Sequence, residues 1–473
     1  MRRDYPRKPL RVAVRTLFFV ILGAGAAVVA GADSPEPSPA TTITLTLEDA
    51  VSRARADDER LAAAVLESRR SEAAYRSARA ERFPSLLLGT GYDRVRETDP
   101  PALGLPPELG GEITLGDSVA DRINLHAHLR QEIFSGFRRT AQVAVMDHRL
   151  EASRYQQEFV AGQVEMAAVE LYLNAVGAAE RVQVAERALE RASRVREDME
   201  NLLGEGFVTA NDLLRARMAE AQAESALARI RNGRERTMLR LKRALGIDPE
   251  TAVLLDHTHG GQQRVLPGAG PGAVPGAEAV EATISRAGGE RADLLVIEQE
   301  ILAAGQSVRV AEAGLYPTAN LIAGARYARP SPVAFPQVAE FDYTWSVGFE
   351  LTFNVGILPL VRSRAEEARL REQALRVERS RLGRDVALQV RAAALDIADA
   401  AEQGAAADLF VEQATENLRA LETMHAEGLI RLSEVIEAQE LLEQAEMNLL
   451  EATIDRELAE ARYRFVSGGS ALR

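Results

Sequence analysis

Between Tyr343 and Phe353 the chain alternates strictly. Tyr343, Trp345, Val347, Phe349, Leu351 and Phe353 are bulky and apolar, and Thr344, Ser346, Gly348, Glu350 and Thr352 between them are small or polar. Ile123, Leu125, Ala127, Leu129 and Ile133 alternate in the same way with Asn124, His126, His128, Arg130 and Glu132. Period two sends successive side chains to opposite faces, so both stretches predict strands. Strands of about ten residues, apolar on one face and polar on the other, suit the wall of a β-barrel across a lipid bilayer. The series Tyr343, Trp345, Val347, Phe349, Leu351 and Phe353 is then the lipid-facing side.

The remainder reads as long helices rich in Ala, Glu, Arg and Leu, all good helix formers. Proline breaks helix interiors, and residues 108–248 and 360–473 contain none. The segments from about Phe137 to Leu203 and from Leu360 to Met424 therefore predict two helices of roughly 100 Å each at 1.5 Å per residue.

The halves align with one another. Phe83-Pro84-Ser85 answers Tyr316-Pro317-Thr318, Phe134-Ser135-Gly136 answers Phe353 to Gly356, and Gly206 to Leu214 answers Gly428 to Ile436. One unit, read as helix, β-hairpin, long helix, turn, helix, thus occurs twice. The organisation expected is a first repeat over 33–246, with its hairpin at about 84–134 and its turn at 204–212. A Gly/Pro-rich linker over 247–277 follows. The second repeat spans 278–466, with hairpin at about 317–355 and turn at 425–434, and 467–473 form a short tail. The first hairpin is longer, its excess lying in the proline-rich loop around Pro100 to Leu115. Two hairpins give four strands, too few to close alone, so the wall requires several copies of the chain.

Composition narrows the compartment. A basic start (Arg2, Arg3, Arg7, Lys8, Arg11, Arg15) precedes the apolar run Leu17 to Ala30 and the small-x-small sequence Ala30-Gly31-Ala32. That is the form of a cleavable export signal over 1–32; an uncleaved anchor is the competing reading. There is no cysteine, which excludes disulfides, thiolate metal sites and a lipid-modified cysteine. Formal net charge is -13; residues 1–32 carry six basic side chains and one acidic, so the mature chain stands near -18. Such a chain repels nucleic acid and favours cations in any lumen it encloses. No phosphate-binding glycine loop, HExxH or GxSxG occurs, so neither an enzyme nor a cofactor is expected.

In the order and duplication of these marks the chain resembles the TolC-type outer-membrane efflux proteins, from Leu45-Thr-Leu-Glu-Asp-Ala50 to about Val466. The resemblance implies a mainly α fold with a transmembrane β-barrel, built as a homotrimer with a 12-stranded barrel and a long α-helical barrel through the periplasm. It implies an exit duct of a tripartite efflux or type I secretion system, docked to a periplasmic adaptor and through it to an inner-membrane pump. It also implies an equatorial belt from the linker and chain ends, reduced here by the short tail.

Site residues follow from the same resemblance. Glu434 and Glu437 fall on the acidic pair that narrows the periplasmic entrance; three apart, they share a helix face, and three copies gather six carboxylates. Asp212 takes the acidic position of an entrance network, with Arg431 one residue from the arginine position, where Ile430 stands. His425 replaces the tyrosine, and an imidazole there makes the lock pH-sensitive. The turns Gly206, Phe207, Val208 and Gly428, Leu429, Ile430 face the adaptor; read from the residues alone, Gly206 and Gly428 simply end helices. His126 with His128, and His257 with His259, are candidate metal pairs, against which stand a polar lumen and a solvated linker; no dedicated metal site is expected. The rival to the whole reading is a secreted or periplasmic coiled-coil structural or adaptor protein, which needs no lipid-facing strands.

Overall fold

The computed structural model describes residues 42–96, 102–106, 108, 112–114, 117–256, 275–334 and 338–472. The export signal, the linker over 257–274 with His257 and His259, and much of the loop from Pro100 to Leu115 lie outside the described residues.

The first half begins with strand β1 (Ile43–Leu45) and helices α1 (Leu47–Asp57) and α2 (Glu59–Ala80). Strand β2 (Ser85–Arg94), a small ribbon of β3 (Ala102–Gly104) and β4 (Glu112–Thr114), and β5 (Asp121–Phe134) come next. Helices α3 (Arg138–Glu205) and α4 (Ala210–Ala244) complete it. After β6 (Val253–Leu255) the second half repeats the plan. Helices α5 (Ala277–Glu290) and α6 (Ala292–Glu312) precede strands β7 (Thr318–Arg329) and β8 (Asp342–Thr352), and α7 (Leu358–Ala426) and α8 (Leu432–Val466) follow.

Local chemistry sets the breaks. Thr46 caps α1 in a reciprocal box with Asp49, and Asp58 both ends α1 and opens α2 by accepting from the amides of Arg60 and Leu61. Pro84 and Pro317 stand where a helix gives way to a strand, each lacking the amide that would prolong the helix. At the return from β5, Gly136 has φ +62° and a Cβ there would meet the Ala313 carbonyl and the Tyr316 side chain. Only glycine passes that close. Pro359 sits in the first turn of α7, where no intrahelical bond is lost.

The elements lie side by side in one repeated order. The sheet runs β2-β5-β7-β8, antiparallel throughout. Next to it the helices run α2, α3, α6, α7, and nearer the turns they run α4, α3, α8, α7. One edge is thus β2, α2 and α4; the other is β8 and α7.

A core binds the helical layers at mid-height. Leu45, Val51, Val169, Tyr172, Val176, Leu241, Ile247 and Leu458 all bury there. Tyr172 donates from its hydroxyl to the carbonyls of Leu45 (3.2 Å) and Asp256 (2.9 Å), and burial pushes its phenol up to about 12. The start of the linker is therefore structured: β6 pairs in parallel with β1. The tail is docked as well. Glu165 is only 4 % exposed, and it accepts from the Ser470 hydroxyl and from the Leu472 amide at 3.1 Å. A buried carboxylate with two donors is stabilised where an unpartnered one would be costly.

Two details depart from simple alternation. Phe353 lies one residue beyond β8. In β5 a register shift between Glu132 and Phe134 takes Ile133 out of the ladder, and Gln131 occupies the apolar face opposite Leu321. Gln131 reconciles its amide to that position by donating to the carbonyls of Arg82 and Glu132.

Candidate functional site

The sheet has two unlike faces, and the register says which residues share each. Across the four strands one row reads Leu86, Leu129, Ala323, Val347, and the next Leu88, Ala127, Ala325, Trp345. Leu321 and Phe349 extend the same face. Trp345 is 70 % exposed and Val347 64 %; Tyr343, Phe349, Leu351 and Phe353 are exposed too. No other element of the described chain covers this face, an apolar patch far larger than isolated surface leucines account for. The backbone edges β2 and β8 are also unpaired among the described residues, an arrangement that an isolated soluble sheet normally blunts.

The opposite face is polar. Its rows read Gly89, His126, Arg326, Thr344 and Leu87, His128, Gly324, Ser346. The rings of His126 and His128 lie 5.2 Å apart, and His126 Nδ1 meets Asn124 Oδ1 at 3.2 Å. Glycines make room for them: a Cβ at Gly89 would strike the His126 ring, and one at Gly324 would come 3.3 Å from His128 Nδ1. Among the described residues no group of three metal-ligating side chains gathers here or elsewhere.

At the far end of the long helices are two tips. Gly206 (φ +85°) ends α3, and the Phe207 amide donates back to Leu202 at 2.9 Å; Gly428 (φ +75°) does the same for α7, with the Leu429 amide on Met424 at 2.9 Å. Phe207 and Leu429 project into solvent from the two turns. Val208 and Ile430 instead pack inward. Sequence reasoning grouped all six as adaptor-facing; in the structure Phe207 and Leu429 are exposed while Val208 and Ile430 anchor the turns.

The expected network at the entrance is only partly assembled. Asp212 is committed to its own helix end, accepting from the Thr209 hydroxyl (2.6 Å) and amide (3.1 Å). The Thr209 hydroxyl bond is the main reason its carboxyl sits below the ordinary value, with the Thr209 amide next and Arg215 and His425 adding smaller pulls. His425 places Nδ1 3.2 Å from the Ile430 carbonyl and so braces the second turn. Arg431 is the N-cap residue of α8 and makes no side-chain cap; among the described residues it is joined to neither Asp212 nor His425.

What holds the two tips of one chain together is apolar. Leu432 buries against Met199, Leu213 and Ala216, with Leu202, Val208 and Ile436 around them. Sequence reasoning passed over this plug. Its signal was present in Leu213 and Leu432, the first leucine of α4 and of α8.

Glu434 and Glu437 stand exposed on one side of α8, and Glu440 continues their three-residue spacing. One step further, Glu443 turns into the α3–α8 contact. Burial is the largest influence and raises its carboxyl; Arg191 pulls it down, and Glu440 and Glu446 push it up. Arg191 and Arg187 approach Glu446 at 3.4 and 3.8 Å. From Leu432 to Asp455 the helix carries seven carboxylates and no lysine or arginine. No helix among the described residues is long and apolar enough to cross a membrane.

Comparison with known proteins places this architecture. A family model described as outer membrane efflux protein matches residues 50–247 and 283–469. The fold superposes on CusC, solved in a study of folding and transmembrane channel formation, with a TM-score of 0.73 at 17 % identity over 89 % of this chain and 92 % of that one. It also superposes on the outer membrane protein VceC of Vibrio cholerae (TM-score 0.69, 15 % identity, 90 % and 96 % covered). The open state of the MtrE outer membrane channel of Neisseria gonorrhoeae is similar as well (TM-score 0.68, 16 % identity, 90 % and 89 % covered). No curated protein matches by sequence.

Proposed function

Because the chain belongs to the outer membrane efflux protein family, we propose that three copies close into one duct whose β-wall lies in the outer membrane and whose helices reach through the periplasm. The protein is an outer-membrane efflux channel and not an enzyme. In the proposed assembly β2 of one copy pairs with β8 of the next, which removes the open edges and makes a barrel of twelve strands, four from each. The face of Trp345, Val347 and Phe349 then meets lipid, and His126, His128 and Arg326 line the lumen.

The helix tips form the inner entrance. Glu434 and Glu437 ring it with carboxylates that concentrate cations. Phe207 and Leu429 offer exposed apolar points to a periplasmic adaptor protein, which connects the duct to an inner-membrane pump. Residues 1–32 direct export. The channel itself supplies a passage and a mouth with two states; binding of the adaptor shifts their balance by its preference for the open one.

The observation that carries this reading is the four-stranded sheet with one apolar face uncovered and both edges unpaired. The test is the native mass of the chain taken from the outer-membrane fraction in mild detergent. A mass of three chains supports the duct; a monomer in the soluble fraction would end it.

A further inference from the structure

The helices next to the sheet, α2, α3, α6 and α7, share a hollow of about 740 Å³ that all four of them line. That is the size of a site for a drug-sized molecule. A hollow that reaches every helix of a curved layer lies on its concave side, which in the proposed duct is the lumen. Helical spacing assembles its wall. Arg364, Ala368, Arg371 and Leu375 recur three or four apart along α7, and Val296, Glu300, Ala303 and Ser307 do so along α6. The alanines contribute only a methyl each and leave the floor low; Val296 and Leu375 add aliphatic surface.

Its arginines are only partly neutralised. Arg70 is held by Glu67 at 2.5 Å. Arg369 and Arg376, on another side of α7, are held by Glu312 and Glu372. Arg149, Arg364 and Arg371 line the hollow from α3 and α7 and make no ion pair among the described residues. Glu300 and Glu367 are likewise unpaired there, so the free groups are three positive against two negative, in a mature chain near -18. Glu367 stands three residues from Arg364 and four from Arg371, on one face, where it offsets their mutual repulsion. Arg364 and Arg371 are 6 and 13 residues from the sheet end of α7 at Leu358, about 9 and 20 Å. In the proposed duct, cargo passes them just before it enters the barrel.

We infer that this hollow is a transit site for drug-sized molecules that carry sulfonate, phosphate or carboxylate groups on an aromatic or aliphatic body. The planar guanidiniums of Arg149, Arg364 and Arg371 take the anionic groups, which they can hold by paired hydrogen bonds. The body lies over the alanine floor between Val296 and Leu375. The arginines are exposed, so each contact is weak, and a passage needs a site that a molecule can both enter and leave. The inference rests on the duct reading for the position of the hollow, and it adds a class of cargo that the acidic entrance alone would disfavour.

The test is titration calorimetry of the purified protein in a non-ionic detergent at low salt, with naphthalene trisulfonate as the probe and native mass measured on each sample. Arg364→Gln with Arg371→Gln weakens binding about tenfold, and Glu300→Gln tightens it. Arg369→Gln with Arg376→Gln makes the same change in net charge on another side of α7 and leaves the affinity within about twofold. Methyl viologen, a flat dication of similar size, binds more weakly than the trisulfonate; the reverse order overturns the assignment to anions. A trimer whose affinity for the trisulfonate ignores Arg364 and Arg371, or falls equally in the control, overturns the site and leaves the duct standing. A monomer that binds with the expected responses keeps the site and overturns the duct.

Discussion

Replacing Val347 with arginine tests the lipid-facing assignment where it is most exposed to failure. β8 runs eleven residues from Asp342 to Thr352, about 36 Å at 3.3 Å each, and Val347 is its midpoint, with five residues on either side. Its side chain shares a row with Ala323, Leu129 and Leu86, none of which can pair with a guanidinium. Arginine at the middle of a lipid-facing strand costs about 2–4 kcal/mol, roughly 30- to 700-fold per copy in the folding equilibrium, and three copies share one barrel. If the same face were bathed in water, an exposed arginine would change stability by about 0.5 kcal/mol or less. The control is its neighbour. Ser346→Arg points to the polar face opposite Gly324, where the added side chain has space. The assay is the yield of assembled trimer in outer membranes, with refolding into lipid vesicles across urea to give the free energies. A large loss for V347R beside near-normal assembly of S346R is the expected outcome. Equal yields, or a loss confined to S346R, would refute the assignment of faces and with it the barrel.

Three further outcomes bear on the mouth. Glu434→Gln with Glu437→Gln should lower the cation-to-anion permeability ratio severalfold and weaken block by divalent cations; an unmoved reversal potential in bilayer recordings would remove both from the filter. Leu432→Ala empties the plug beneath the tips and should cost about 2–5 kcal/mol locally, seen as frequent spontaneous openings, whereas unchanged open probability would mean that the plug does not hold the mouth. Thr209→Ala should weaken the first turn of α4 by about 1 kcal/mol, or about fivefold in amide protection over residues 210–214. Asp212 has a lowered carboxyl value, so in the wild type this cap is complete above the ordinary 3.8 and is lost as pH falls through the lowered value; protection that ignores pH there would contradict it.

The strands were legible because a sheet with one apolar and one polar face enforces period two, and the long helices because no proline interrupts 108–248. The bulge at Ile133 was not, since nothing in Gln131-Glu132-Ile133 distinguishes an extra residue from an ordinary strand end. Nor was the structured start of the linker: Val253-Leu254-Leu255 is too short to signal a strand, and its pairing partner Ile43–Leu45 lies over two hundred residues away. Asp212 shows the reverse difficulty. Thr209-x-x-Asp212 is a readable capping box, but alignment with a known family drew the residue toward a network, and its carboxylate is engaged by its own helix end.

That distinction changes what can open the tips. A lock made of Asp212, His425 and Arg431 would rest on ionisable groups and would answer to a single charge reversal. The arrangement present keeps Asp212 and His425 on their own turns and leaves the joining of the two tips to Leu432, Met199 and Leu213. An apolar plug has no titration point; it yields to a partner that offers competing apolar contact. Phe207 and Leu429, exposed one turn away, are where such a partner would first take hold, and Leu432 is reached only by moving the tips apart. If the proposed adaptor opens the tips, the cost is about the free energy of uncovering one or two buried side chains, some 1.5–3 kcal/mol each, a sum that a modest preference of the adaptor for the open tips can offset.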